Sequence, residues 1–345
     1  MACHGEVTCS ARPLAPCPVR TPTCEMCQAV IKTLILATDP DGIAQASAIL
    51  EQDGLVAMPT ETVYGLAGNA RSDVAIEKIF SAKERPRFNP LIVHVPDLEM
   101  AQTIGVFDQR ALALARAFWP GPLTMVLPLQ ARAELSGMVT ANLNTVAIRV
   151  PAHPVAQALL RQFRGPLAAP SANPSGKVSP TTAAHVLAGL GGRIDAVIDG
   201  GPCEVGVEST IVGLDGSARL LRPGGLPVEA IAAILGTDLL AAEAKITAPG
   251  QLHSHYAPNA RVRLNVAAPA KDEVWVGFGP DCGGADLNLS PSGNLSEAAA
   301  ALFETLRQAD ILAGSEGVIV FAPIPERGLG QAINDRLRRA AAPRE

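Results

Sequence analysis

The stretch LVAMPTETVYGLAG, residues 55–68, decides the fold. Leu55-Val56-Ala57-Met58 is a short, unbroken apolar run and reads as a buried strand. Thr60, Glu61, Thr62 and Tyr64 follow at once, before Gly65 and Gly68. Hydrogen-bonding side chains gathered where a core strand ends point to a site built on a rigid scaffold. The two glycines are expected to let the chain turn tightly beneath that cluster.

Outward from this strand, helical and extended patterns alternate. Residues 43–51 before it and 74–83 after it read as helices, the second with Ile76, Ile79, Phe80 and Lys83 at i, i+3, i+4 and i+7. Residues 91–95 read as a strand, 110–118 as a helix stopping before Pro120, and 124–128 and 145–150 as strands. A helix over 155–164 and a short strand over 166–169 follow. The next helix is expected over 181–190, capped near Ser179 or Thr181 with Pro180 just inside. Strands are expected at 196–199, 210–214 and 219–221, and a helix at 228–235 ending at Gly236.

Residues 240–260, LAAEAKITAPGQLHSHYAPNA, then lose periodicity and read as a linker. Beyond it lie strands at 262–266, 273–278 and 317–321 and helices at 295–309 and 331–341, the pattern of a small parallel-sheet domain. No internal repeat interrupts the two series. Two α/β domains suit a chain of 345 residues.

Composition agrees. Hydrophobic content of 48% with 18% charged residues describes a soluble globular protein, and with 3% aromatics the core is built from Ala, Val, Leu and Ile. A net charge of −5 argues against nucleic-acid binding through bulk positive charge, while leaving room for a local basic groove. No apolar run reaches the length of a membrane helix, and Arg12, Arg20 and several prolines break up any secretory core, so a cytoplasmic location is expected. Five of the seven cysteines fall in the first 27 residues, with Cys24 and Cys27 spaced as CxxC and His4 nearby. A small zinc site is one reading. A disordered Pro-rich extension, or a start at Met26, is the other, favoured because no second close cysteine pair exists.

Familiar nucleotide and hydrolase signatures are missing. There is no GxxxxGK[ST], HExxH or GxSxG, and GFGPDC at 277–282 has Cys282 where GxGxxG requires glycine. Polar residues nonetheless gather at strand ends and in small-residue loops. Lys83, Arg85 and Arg87 stand at a helix end, either as a solvated last turn or as a clamp for a polyanion. His94 and Arg149 each interrupt an apolar strand; a lone histidine there reads first as a satisfied core residue, whereas the charge of Arg149 needs a partner or a ligand. The loop PLAAPSANPSGKVSPTT, 166–182, offers close backbone approach to an anion, with Ser171, Asn173 and Ser179 as donors. GVEST at 206–210 and LLRPGG at 220–225 add Glu208, Ser209, Thr210 and Arg222, which otherwise read as turns and an exposed ion pair. Together these describe a pocket for a phosphorylated ligand with an amino-acid-sized companion.

Seven ordered segments, PTETVYGLAG, KERPRFNPLIVHV, WPGPLT, VAIRVPAHP, APSANPSGKVSPT, GVESTIV and LLRPGG, resemble the YrdC/Sua5 family over residues 30–235. APGQLHSHYAP resembles the interdomain loop of the long Sua5 form, and GLGQAINDRLRRAA the end of its C-terminal domain. The resemblance implies an α/β fold: a YrdC-like twisted open mixed sheet with flanking helices, plus a smaller C-terminal parallel-sheet Sua5-like domain. The implied organisation is a Cys/Pro-rich, disordered extension over 1–28, a catalytic domain over 29–238, a linker over the active site at 239–260, and a Sua5-like domain over 261–345.

It also implies an activity, that of a nucleotidyltransferase: L-threonylcarbamoyladenylate synthesis from L-threonine, bicarbonate or CO2, and ATP with Mg2+, releasing pyrophosphate. The product serves t6A37 modification of tRNA through a downstream threonylcarbamoyl-transferase complex, and the concave face is able to contact RNA. No membrane partner and no protein-held metal are implied. By motif, Thr62 holds threonine, with His94, Thr145 and Ser209 around it. Lys83, Arg85 and Asn89 grip the nucleotide and its phosphates; Arg149, Ser171, Ser179 and Arg222 complete that side; Asn173 braces the loop; and Tyr256, in the linker, touches the nucleotide. Lys83, Arg85 and Arg149 carry the catalytic charge. A YrdC-like carbamoyltransferase and a non-catalytic RNA-binding module are the rival readings. The C-terminal domain is expected to anchor a lid, which full activity of a chain cut after Gly236 contradicts.

Overall fold

The structure, a computed structural model, describes Met1, residues 32–242 and residues 255–343. The cysteine-rich segment with its Cys24–Cys27 spacing, the disorder expected there, and linker residues 243–254 lie outside the described residues.

In chain order the elements of the larger sheet and its helices are β1 (Leu34–Leu36), α1 (Pro40–Glu51), β2 (Val56–Met58), β3 (Gly65–Asn69), α2 (Asp73–Lys83), β4 (Ile92–His94), α3 (Leu98–Ile104) and α4 (Gln109–Phe118). Then come β5 (Leu123–Pro128), β6 (Thr145–Arg149), α5 (Pro154–Phe163), β7 (Leu167–Ala168), α6 (Ala183–Leu190), β8 (Ala196–Ile198), β9 (Thr210–Gly213), β10 (Arg219–Arg222), α7 (Val228–Leu235) and β11 (Leu240–Ala241). The strands form one mixed sheet in the order β1-β8-β2-β3-β7-β4-β6-β5-β9-β10-β11. The second series is β12 (Arg261–Arg263), β13 (Val274–Gly277), β14 (Leu287–Asn288), α8 (Leu295–Ala313), β15 (Val318–Phe321) and α9 (Leu329–Ala340). Its four strands run β12-β15-β13-β14 with every pairing parallel. The mixed α/β fold with a smaller parallel sheet matches the architecture read from the sequence.

Period-2 alternation explains the layers. Leu55 and Ala57 pack into the core beneath α2, α4 and α6, while Val56 and Met58 pack with Ile43 and Leu50 of α1 and Leu159 and Leu160 of α5. Further along the sheet, Thr124, Arg149 and His94 stand as cross-strand neighbours on β5, β6 and β4, since Thr124 pairs with Arg149 and Arg149 with His94. The three side chains share one face, and that face carries the site. Capping defines the helices locally: Asp39, Ser72, Asp97, Asp108 and Thr182 each accept a first-turn N–H.

Three expectations need correction. Gly65 and Gly68 do not make a turn: they belong to β3, antiparallel to β2, and serve close packing. A Cβ on Gly68 would lie 3.0 Å from the Ile79 side chain and 3.2 Å from that of Leu55. The helix read from 181 begins at Ala183 with Thr182 as its cap, which leaves Pro180 outside and Ser179 free for another role. Arg222 is no exposed ion-pair residue, being only 5% exposed.

Candidate active site

Several chain segments close around one cavity: the β2–β3 connection with Thr60 and Thr62, Arg85 after α2, Ile92 and His94 of β4, and Arg149 of β6. Ser171 of the β7–α6 loop, Glu208 and Ser209 before β9, Arg222 of β10, and His255 and Tyr256 from the returning linker complete it. Its free volume is about 40 Å3, room for a few waters. Tyr256 lines it with its ring stacked on Phe303. It is 1% exposed and holds the left-handed conformation at φ 60°, unusual for a tyrosine and a mark of a functional constraint.

The stretch that opened the sequence forms a hydrogen-bonded network. Thr60 Oγ1 donates to the Val63 carbonyl at 2.6 Å and accepts from the N–H groups of Thr62 and Val63, so Thr60 closes the turn. Arg149 Nη1 donates to Thr62 Oγ1 at 2.8 Å, and Nη2 lies 2.7 Å from Glu61 Oε1, a close charge contact set off the hydrogen-bond direction. Glu61 Oε2 accepts from the Ala152 N–H. Burial works to raise the Glu61 pKa, yet the Arg149 charge and these hydrogen bonds leave it lowered. Arg149 thus finds the partner that the sequence required of it. Tyr64 points away from the cavity and donates its hydroxyl to the Gly201 carbonyl at 2.8 Å.

The cations divide into two kinds. Arg149 is paired with Glu61, whereas Arg85 and Arg222 form no ion pair among the described residues. Arg85 donates only to the carbonyls of Asn89 and Pro90, and Arg222 to the carbonyl and hydroxyl of Ser209. Burial, then the neighbouring Arg222 charge, pull the Arg85 pKa down to about 10. His94 is pushed down to about 3 by burial and by Arg149, and is therefore a neutral imidazole at physiological pH. His255 is neutral for the same leading reason, also at about 3.

Of the residues expected at the site, Thr62, Arg85, His94, Arg149, Ser171, Ser209, Arg222 and Tyr256 line the cavity. Lys83, Asn89, Asn173 and Ser179 stand behind its wall. Lys83 is 1% exposed; its Nζ donates to the Ser171 carbonyl at 2.5 Å and also to that of Asn173. Burial holds its pKa well below the ordinary lysine value. Asn173 donates its amide to the carbonyls of Pro174 and Lys177. Ser179 donates to Glu208 Oε1 at 2.5 Å. Thr145 opposes Pro128 at the far end of β6, four residues from Arg149, or about 13 Å along the strand, and does not line the cavity.

Sequence reasoning passed over His255 and Arg336, and gave Glu208 no role of its own. Glu208 is 5% exposed and takes Arg336 Nε on Oε2 at 2.8 Å. The sequence signal for that pair was an arginine set among the apolar residues of the last helix.

The chain is similar to known proteins over most of its length. The family model Sua5_yciO_yrdC, described as "Telomere recombination", matches residues 48–224. The model for the "Threonylcarbamoyl-AMP synthase, C-terminal domain" matches residues 226–342. A threonylcarbamoyl-AMP synthase of Bacillus subtilis (strain 168) is 40% identical over 90% of this chain and 95% of its own length. One from Pyrococcus abyssi (strain GE5 / Orsay) is 40% identical over 86% of this chain and 93% of its own. The crystal structure of P. abyssi Sua5 complexed with L-threonine superposes with a TM-score of 0.82 at 37% identity, covering 90% of this chain and 98% of that one. With both family models matched in order along its length, the chain belongs to the Sua5/YrdC family in its long, Sua5 form.

Proposed function

We propose that this protein is an L-threonylcarbamoyladenylate synthase, a nucleotidyltransferase joining L-threonine, bicarbonate or CO2, and ATP, with pyrophosphate as the second product. The observation that carries the reading is the pair of arginines, Arg85 and Arg222, that share a cavity with the Thr62 hydroxyl and form no ion pair among the described residues. Cations held by backbone carbonyls suit an incoming polyanion, because no ion pair has to break before it binds.

The chemistry asks for positioning rather than for a protein nucleophile. The amine of threonine adds to CO2 to give a carbamate, losing one proton. A carbamate oxygen then attacks the α-phosphorus of ATP as the bond to pyrophosphate breaks. Charge spreads over the phosphoryl oxygens in that step, and Arg85 and Arg222 neutralise it from fixed positions. Thr62, oriented by Arg149, receives the polar groups of threonine, with neutral His94 and Ser209 beside it. Lys83 acts through the loop: it fixes the Ser171 and Asn173 carbonyls and so shapes the nucleotide wall, a role for a buried amine different from direct phosphate contact.

Glu61 and Glu208 are the carboxylates nearest the cavity and each is engaged by an arginine, and no cluster of three potential metal ligands occurs among the described residues. On this reading Mg2+ enters on the phosphates as MgATP. A cytoplasmic location and delivery of the adenylate to a tRNA-modifying complex belong to the same reading.

The test is pyrophosphate release from MgATP with threonine and bicarbonate each omitted in turn. Release that requires both, with the adenylate detected by mass spectrometry, is expected. Release that requires neither, or that appears only when carbamoyl phosphate replaces them, sinks the proposal in favour of a carbamoyltransferase. RNA binding without turnover under any mixture points instead to a binding module.

A further inference from the structure

One buried arginine reaches the cavity wall from the C-terminal domain. Helix α9 buries Ala332, Ile333, Arg336, Leu337 and Ala340, a single stripe at helical spacing. A guanidinium in such a stripe has to find partners for its charge. Arg336 is 1% exposed, and its partners lie largely beyond its own helix. Nε donates to Glu208 Oε2 at 2.8 Å, and Nη1 donates to the Pro223 carbonyl at 2.7 Å and to adjacent Asp335 at 2.8 Å. Its central carbon stands 5.4 Å from the centre of the Tyr256 ring, which also stacks on Phe303 of α8 at 5.5 Å. Glu208 Oε1 takes the Ser179 hydroxyl. One side chain therefore touches the segment that carries Ser209, the residue after Arg222, and a tyrosine that lines the cavity.

We propose that Arg336 is a positioning residue for the nucleotide side of the pocket, holding Glu208, the Pro223 carbonyl and the Tyr256 ring in one arrangement. The placement of Ser209, Arg222 and the returning linker then depends on the C-terminal domain. The inference rests on the proposed reaction for its kinetic readout alone.

A residue that merely neutralised Glu208 has the same contacts but different consequences. Removing Arg336 alone strands a buried carboxylate and destabilises the protein for that reason. The double variant Glu208→Gln/Arg336→Met removes both charges, so it is expected to fold cooperatively. Because Glu208 itself lines the cavity, Arg336→Lys, which keeps the neutralising charge, is read beside it; if neutralisation were the whole role, Arg336→Lys would behave as wild type. If Arg336 positions the wall, the Pro223 carbonyl and the Tyr256 ring are no longer held, and the KM for MgATP rises about tenfold while that for threonine changes less than about twofold.

A second readout needs no turnover. The chain has two tyrosines. Tyr64 is fixed to Gly201, and burial pushes the Tyr256 phenol up to about 12. In the wild-type protein neither ionises near the ordinary value of about 10. In the double variant one of the two is expected to do so, giving half of the full tyrosinate absorbance change while circular dichroism reports the fold intact. A KM for MgATP within twofold of wild type, or two tyrosines that still resist ionisation, overturns the proposal. Should wild type itself show no threonine-dependent pyrophosphate release, the assigned reaction fails, and the tyrosine titration still decides the role of Arg336.

Discussion

Arg149 and Glu61 face each other at 2.7 Å with their side chains only 4% and 9% exposed. The pair ties the middle of the large sheet to the loop that follows β2, and through Arg149 Nη1 it aims the Thr62 hydroxyl. Breaking a buried pair from one side leaves an uncompensated charge, which costs about 3–5 kcal/mol. Glu61→Ala is expected to lower stability by that order in urea unfolding. A loss under about 1 kcal/mol would mean that water reaches Arg149 and that the pair is not buried in solution.

Thr60 and Thr62, two residues apart, are expected to separate cleanly. Thr60 accepts two N–H groups and donates to the Val63 carbonyl, so its work is the turn itself. Thr60→Ala should destabilise by about 1–3 kcal/mol, because buried backbone groups lose their partner. Thr62→Ala keeps the turn and is expected to raise the KM for threonine about tenfold, with ATP binding nearly unchanged. Equal losses for both substrates in Thr62→Ala would assign that residue to structure instead.

That separation was only half legible in the sequence. A buried strand ending in polar side chains was visible at residues 55–64, because an apolar run and a hydroxyl cluster are local signals. Which hydroxyl closes the turn and which one faces the cavity depends on Arg149, far away in the chain, and no local pattern encodes that. Gly65 and Gly68 misled for a related reason: glycine signals a turn locally, whereas here it serves the close approach of Ile79, Leu55 and Ala169 to β3. The start of α6 was misplaced because Pro180 fits a first helical turn as well as it fits the preceding loop. The bounds of α7 and the start of α8 were legible from their periodicity, whereas the last turn of α8, to Ala313, was not. Arg336 was written in the sequence as a charge within an apolar stripe, but its partner Glu208 becomes a neighbour only when the two domains fold together.

Lys83 and Arg85 are two residues apart and are expected to fail in different ways. Lys83→Met keeps the volume but leaves the carbonyls of Ser171 and Asn173 without their donor, so the melting temperature should fall together with ATP affinity. Arg85 donates to two carbonyls at the cavity edge and has no carboxylate to strand. Arg85→Met should leave stability within about 1 kcal/mol of wild type and lower ATP affinity about a hundredfold, as loss of a charge-assisted phosphate contact does. Isothermal titration with a non-hydrolysable ATP analogue, set beside thermal unfolding, reads both. Wild-type ATP affinity in Arg85→Met would remove that residue from the phosphate site.

Gly224 tests the wall from its backbone side. A Cβ there would lie 2.3 Å from the Glu208 carbonyl oxygen and 2.3 Å from the Ser209 carbonyl carbon. These are backbone atoms that no rotamer change relieves, so Gly224→Ala must move the strand start carrying Ser209 or the end of β10 carrying Arg222. Overpacking of this kind costs about 1–3 kcal/mol or more. The expected result is a less stable protein with a raised KM for MgATP, and a variant indistinguishable from wild type in both would show that the wall is loosely packed.

The buried histidines set the pH at which acid begins to unfold the protein. His94 and His255 are both held neutral to about 3, His94 by burial and the Arg149 charge, His255 by burial and nearby cations against the opposing pull of Glu208. In the unfolded chain both return to about 6.5. Between those values the unfolded state binds more protons than the folded one, so stability rises with pH. The contribution is complete above about 6.5 and is lost as pH falls toward 3, each histidine adding up to about 1.4 kcal/mol per pH unit to the slope. Glu208, whose pKa is lowered to about 2 by Arg336 and Arg222 against its burial, contributes stability that is present above the unfolded carboxylate value and is lost only below it. Acid sensitivity therefore starts on the histidines, a full unit or more before the carboxylates take part. Urea unfolding between pH 7.5 and 5 should show a declining free energy, and His255→Asn should remove about one proton from that slope. An unchanged slope would mean that His255 is already exposed to solvent, and that the linker segment stands open rather than packed into the cavity.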